Sequence, residues 1–179
     1  MLERLHRYLS AAFAFGAGLC MAGIFAIVLV NSLRRYFLGR SWPWGEELPV
    51  YLAIYGVMFG IALATMQERH IAFRVLTDFL KPGLQRIAAL IVDLMTLVVG
   101  ILLARSGLML IESRGGRDAS GLVTTMRGLS REYDMAWIAT LGTLGPWQFA
   151  LVLGGGMLAL AAFVQLLRRL FAPLPVVTP

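Results

Sequence analysis

The chain has 179 residues, 59% of them hydrophobic and 15% charged, with a mean hydropathy of +0.76. A soluble domain is about 45–50% apolar and about a quarter charged, so this composition excludes a soluble protein and predicts an all-α integral membrane protein. The net charge of +6 comes from arginines that stand singly or in pairs beside apolar runs, which is headgroup anchoring rather than a nucleic-acid patch.

The first apolar run covers 9–30. Arg4 and Arg7 precede it as in a signal peptide, but its length exceeds the ~7–15 residues of a signal core. It ends in Asn31, Ser32 and Arg34–Arg35 rather than a small-x-small cleavage site, so a retained first span is expected. Cys20 lies inside it and is the single cysteine, which excludes an internal disulfide and reads as a small packing residue. Ala14, Gly18, Ala22 and Ala26 recur every fourth position, a stripe that lets helix backbones approach closely in lipid.

Next comes GRSWPWGEELPVYL, residues 39–52, just ahead of the second apolar run at 48–66. Carboxylates in a first helical turn face unsatisfied N–H groups and the positive end of the dipole. Pro43 and Pro49 suit an early turn, and Trp42 and Trp44 suit the headgroup layer. One of Glu46 and Glu47 is expected to cap the helix. The other is expected to pair with Arg35 or Arg40 of its own loop, or with an arginine of a partner. Gly56, Gly60 and Ala64 form a second small-residue stripe.

From 70 to 81, Ile71, Val75 and Phe79 fall four apart beside Leu76 and Leu80, while His70, Arg74 and Asp78 make a polar row. This predicts a short amphipathic helix lying in the interface and ended by Pro82–Gly83. The third span, 87–111, carries Asp93 and Arg105. At 1.5 Å per residue these are about 18 Å apart along a helix and cannot pair. Asp93 is left to contact a partner subunit, to serve a local structural role, or to relay protons.

The connection 112–134 is glycine-rich, with four arginines against four acids. It reads as a docking or regulatory loop, or as a dispensable insertion. Residues 135–144 form an apolar prelude to the fourth span, 147–167. Gly145–Pro146 makes the prelude either a separate interfacial helix or the kinked start of a long span.

Four spans put both termini on one side. Counting basic residues does not say which side. Arg4, Arg7, Arg69, Arg74, Lys81, Arg86, Arg168 and Arg169 face Arg34, Arg35, Arg40, Arg114, Arg117, Arg127 and Arg131, eight against seven. Chemistry is narrowed further by what is missing from the sequence. There is no phosphate-binding G-x-x-x-x-G-K-[ST] loop, no Cys/His metal cluster, no facing histidines for haem and no nucleophile–base grouping. No cofactor and no enzymatic role are expected. Nor is there an internal repeat from which to build a transporter alone. The residues describe an accessory membrane subunit.

Residues 31–71 supply the resemblance. Arg35, Tyr36, Gly39, Arg40 and Ser41 make an R-Y-x-x-G-R-S lead, Trp44, Glu46, Glu47 and Leu48 make W-x-E-E-L, and Gly60, Ala62, His70 and Ile71 follow. The combination resembles the small membrane subunit of tripartite ATP-independent periplasmic (TRAP) transporters. The chain departs from that pattern at Arg74, where the family usually has an acid, and in the residues between Trp137 and the fourth span.

The resemblance implies four spans in a bacterial inner membrane with both termini cytoplasmic. It also implies a large multi-span permease subunit carrying substrate and sodium, and a periplasmic substrate-binding protein delivering an organic acid. Arg35, Arg40, Trp44, Glu46, Glu47, His70 and Asp93 are then candidates for partner interfaces. The other class open to such a chain is a structural membrane anchor of a different complex, such as a haem-free respiratory subunit, which the neighbouring genes would separate.

Overall fold

A helix satisfies its own backbone hydrogen bonds, which lipid cannot do, so apolar runs of this length fold as helices across a membrane. The computed structural model describes residues 2–67 and 82–171. Six helices are present there: α1 (Leu2–Leu38), α2 (Trp44–Met66), α3 (Pro82–Arg114), α4 (Val123–Glu132), α5 (Ala136–Thr140) and α6 (Gly145–Phe171). Four of them, α1, α2, α3 and α6, are long and apolar enough to cross a membrane. The predicted interfacial helix 70–81, with His70, lies outside the described residues.

The long helices outrun the apolar stretches that announce them. α1 has 37 residues, about 55 Å at 1.5 Å each, against a hydrocarbon core of about 30 Å. Its polar flanks are rich in Leu and Arg, good helix formers, so nothing stops it until Gly39. There the chain turns left-handed, at φ +65°, and the Gly39 N–H donates to the Arg35 carbonyl at 3.1 Å. That glycine is the helix stop that gives the R-Y-x-x-G-R-S lead its form. At the start of α6, Gly145–Pro146 is a beginning and not a kink. Proline lacks only an N–H that a first turn leaves unused, and the prelude folds separately as the single turn α5.

The spans stand in the neighbour order α1–α2–α6–α3. α6 is therefore central although it comes last in the chain, and half of its apolar window is buried inside the protein, against 11% for α1 and α2. Adjacent glycines serve its two neighbours. A Cβ on Gly154 would strike Met58 of α2, and one on Gly155 would strike the backbone of Ala104 in α3. Gly100 and Gly107 return the close approach from α3: a Cβ on Gly100 would lie 2.6 Å from the Ala159 nitrogen, and one on Gly107 2.9 Å from the Val152 nitrogen. At the end away from the tryptophans, Phe13, Ala62, Met66, Met157, Ala161 and Val164 gather into a core shared by α1, α2 and α6.

The α1–α2 contact uses a different face of α1 from the stripe expected there. Gly16 meets Phe59, Cys20 meets Gly56 and Gly23 meets Leu52. Ala14, Gly18, Ala22 and Ala26 stand on the opposite, exposed side of α1, because two small-residue registers run along one helix and α2 takes the other. Gly56 lies in the contact, while a Cβ on Gly60 would meet nothing and Ala64 is half-buried.

Candidate functional site

The turn between α1 and α2 is built around Asn31. Its buried side chain accepts the Trp42 N–H at 2.8 Å and fills the space where a Cβ of Gly45 would sit, 2.7 Å from its Cγ. Position 45 is thus closed to any other residue unless Asn31 moves. Trp42 and Trp44 stack with centroids 5.1 Å apart, and the Arg34 guanidinium lies over Trp42 at 4.1 Å, a cation–π contact. Arg34, Trp42 and Trp44 form one layered unit at the mouth of α2.

Glu46 and Glu47 occupy the first turn of α2, but no side chain caps that helix and its N-cap residue is Pro43. Their charges act on the dipole without a capping bond. Glu46 is exposed beside Arg35, Ser32 and Ser41 in the cleft between α1 and α2. Glu47 accepts a hydrogen bond from the Ser120 hydroxyl, 73 residues on in sequence. Its other oxygen, Oε2, is enclosed and has no hydrogen-bond partner among the described residues. Neither glutamate makes an ion pair with Arg35 or Arg40 among the described residues, and both arginines are exposed.

Ser120 belongs to the third connection, which is folded and fastened at two places. It grips the start of α6 through Ala119 N–H to the Gly142 carbonyl at 2.8 Å, Leu144 N–H to Arg117 at 2.9 Å and Gly145 N–H to Gly115 at 2.9 Å. It meets the start of α2 at Gly121, where a Cβ would lie 2.8 Å from the Pro43 carbonyl oxygen. Ala119 and Leu122 are buried beneath it, and Asp118 accepts Arg127 at 2.8 and 3.0 Å. Tyr51 stacks on Trp147 at 5.0 Å, and the Tyr55 hydroxyl donates to the Pro146 carbonyl at 2.5 Å. The Trp-Glu-Glu segment, the third connection and the start of α6 form one assembled platform.

The opposite end is held by charged and amide side chains. The free carbonyls at the end of α2 are taken by other helices: Met66 O accepts from Gln165 Nε2 at 2.6 Å and bonds His6 Nε2 at 2.8 Å. Glu3 and Arg168 pair at 3.0 Å across α1 and α6. Asp93, only 9% exposed at its side chain, meets Arg169 Nε at 2.7 Å. The charge partner of Asp93 is on α6, so the carboxylate has a local partner within the chain.

Ser120, Asn31, Arg34, Gln165 and Arg169 are the participants that the sequence motifs did not single out. For Arg169 a signal existed. Asp93 lies six residues into the third apolar run, 87–111, and Arg169 just past the end of the fourth, 147–167, so both fall toward the same end of the bundle. For Ser120 there was none.

Four helices long and apolar enough to cross a membrane, with a built platform at one end, define the class as a multi-span helical membrane protein. The chain belongs to the family of tripartite ATP-independent periplasmic transporters, DctQ component, matching it over residues 24–172. It is 24% identical over 143 residues to the sialic acid TRAP transporter permease protein SiaT of Haemophilus influenzae (strain 86-028NP), a match covering 80% of this chain and 22% of that protein. It is 23% identical over 108 residues to a protein of Haemophilus influenzae (strain ATCC 51907 / DSM 11121 / KW20 / Rd) named as a putative TRAP transporter small permease protein, covering 60% of this chain and 66% of that one. The chain thus spans about a fifth of the first relative and just under two thirds of the second. No solved structure matches it closely enough for comparison.

Proposed function

We propose that the chain is the small subunit that braces the large, substrate- and sodium-carrying permease of a TRAP transporter and helps a periplasmic binding protein dock for uptake of an organic acid. In this reading it sits in the bacterial inner membrane with both termini cytoplasmic and the tryptophan platform at the periplasmic surface. The observation that carries the reading is the family match across 24–172. The platform supports it, because a loop secured to two helix starts offers a fixed surface just outside the bilayer. Glu46, Arg35 and Arg40 are exposed there and available to a soluble partner.

The test is expression from the native operon with a tag on this chain, mild-detergent purification and mass spectrometry of what accompanies it. A stoichiometric, highly hydrophobic permease is the expected result. Recovery of the chain alone, or with oxidoreductase subunits, refutes the reading. Glu46→Gln with Arg40→Gln is then expected to slow sodium-driven uptake at limiting binding protein while leaving the permease bound.

A further inference from the structure

Arg105 plays no part in anything described so far. It lies on α3, about 18 Å along the axis from Asp93 and about 13.5 Å from the helix end at Arg114. Its neighbour Ala104 is in backbone contact with Gly155 of α6, and Gly154 meets Met58 of α2. Arg105 is therefore level with the Gly155 contact of α6 and lies six residues, about 9 Å, inside the end of the apolar run at Ile111.

Even so, it is exposed, on the outer side of the edge helix of the row. Ile101, Leu102, Leu108 and Met109, all exposed, surround it on that face. Among the described residues Arg105 has neither an ion pair nor a hydrogen bond.

An arginine facing lipid at this depth is costly, and charges inside membranes ordinarily face protein, water or a counter-charge. Long side chains escape by reaching for the nearer surface. Here the nearer surface lies beyond the C-terminal end of α3, whereas side chains on a helix lean toward its N-terminus. Arg105 leans toward the middle of the span.

Among the described residues no carboxylate is paired with it. Asp93 is already paired with Arg169, Glu112 lies two turns away at the helix end, and α6 carries no acid at all. A second copy docked about a two-fold axis would bring arginine toward arginine.

On the reading of the chain as a TRAP small subunit, we infer that the Arg105 face of α3 docks a spanning helix of the large permease subunit, and that this helix carries an Asp or Glu at the depth of Arg105. The first relative is consistent with an occupant of that size, since 78% of its length lies outside the matched segment (100% − 22%).

The test compares tagged wild type with Arg105→Leu and Arg105→Glu, each co-expressed with the permease of the same operon and purified in mild detergent. Wild type should retain permease near one to one. Arg105→Leu should retain less than a tenth of that, while the variant chain alone remains helical, monodisperse and no less heat-stable than wild type. That combination separates a docking role from a folding one. Arg105→Glu should lose the permease equally and regain it when the facing permease acid is changed to Lys. If Arg105→Leu and Arg105→Glu both hold the permease at wild-type levels, the inference is overturned while the transport reading stands. If wild type itself retains no permease, both fall.

Discussion

The two ends of the membrane domain solve the same problem with different chemistry. At the tryptophan end, α1, α2 and α6 are joined by stacked rings, backbone hydrogen bonds and one serine–glutamate contact. At the other end ion pairs join α6 to α1 and to α3, and side chains of α1 and α6 cap α2 from outside. The first kind of joint is fixed in shape and presents a surface. The second sets charges in the end turns of α1 and α6, with Asp93 deeper on α3, where they tie helices together. A rigid joint holds a shape, and charge pairing suffices for a clamp.

The largest effect is expected at the clamp. Replacing Asp93 with Leu removes the carboxylate that meets Arg169 Nε, and stability in detergent is expected to fall by about 3 kcal/mol. The double variant Asp93→Leu/Arg169→Leu should recover most of that in thermal melts. Tryptophan emission should stay unchanged in both. A shift in emission would show that the two ends are not separate devices.

The next effect belongs to the turn. Gly45→Ala drives a Cβ into the Asn31 side chain and should cost about 1–3 kcal/mol as overpacking. Asn31→Ala on the same chain should relieve the clash, so that the double-mutant cycle shows strong coupling. Additive losses would mean that Asn31 does not set the turn.

A smaller loss follows from Ser120→Ala, about 1 kcal/mol for the hydrogen bond to Glu47. Its sharper readout is limited proteolysis, with cleavage within 115–122 expected to rise several-fold. An unchanged cleavage pattern would leave the link between the third connection and α2 without weight. Arg127→Ala ranks last. Its pair with Asp118 is about half exposed on both sides, so the expected change is at most about 0.5 kcal/mol, fading in about 0.5 M salt.

Spans were legible in the sequence because apolar length alone decides them, and the early prolines of α2 were legible as local chemistry. The stop at Gly39 was not, because residues 31–38 read as the end of the first span and instead continue it as helix. Facing was not. On α1 both the Gly16/Cys20/Gly23 face and the Ala14/Gly18/Ala22 face are small and apolar, and in lipid neither must turn inward to escape water. The Gly145–Pro146 pair suits a helix start as well as a kink, and only the contacts of Trp147 and Pro146 with α2 choose between them. Ser120 with Glu47 is a tertiary contact with no periodicity to announce it.

The central position of α6 bears on how the protein is made. Domains assemble in the order of synthesis, and α6 leaves the ribosome after α1, α2 and α3 while being the one that α2 and α3 both need. Until it arrives, α1 and α2 can pair as a hairpin, but α3 must wait with Gly100 and Gly107 uncovered and Asp93 without its arginine. Insertion of α6 closes both gaps in one event. A chain cut short before residue 145 should therefore be recognised by membrane quality control through its stranded third span, while its first two remain paired.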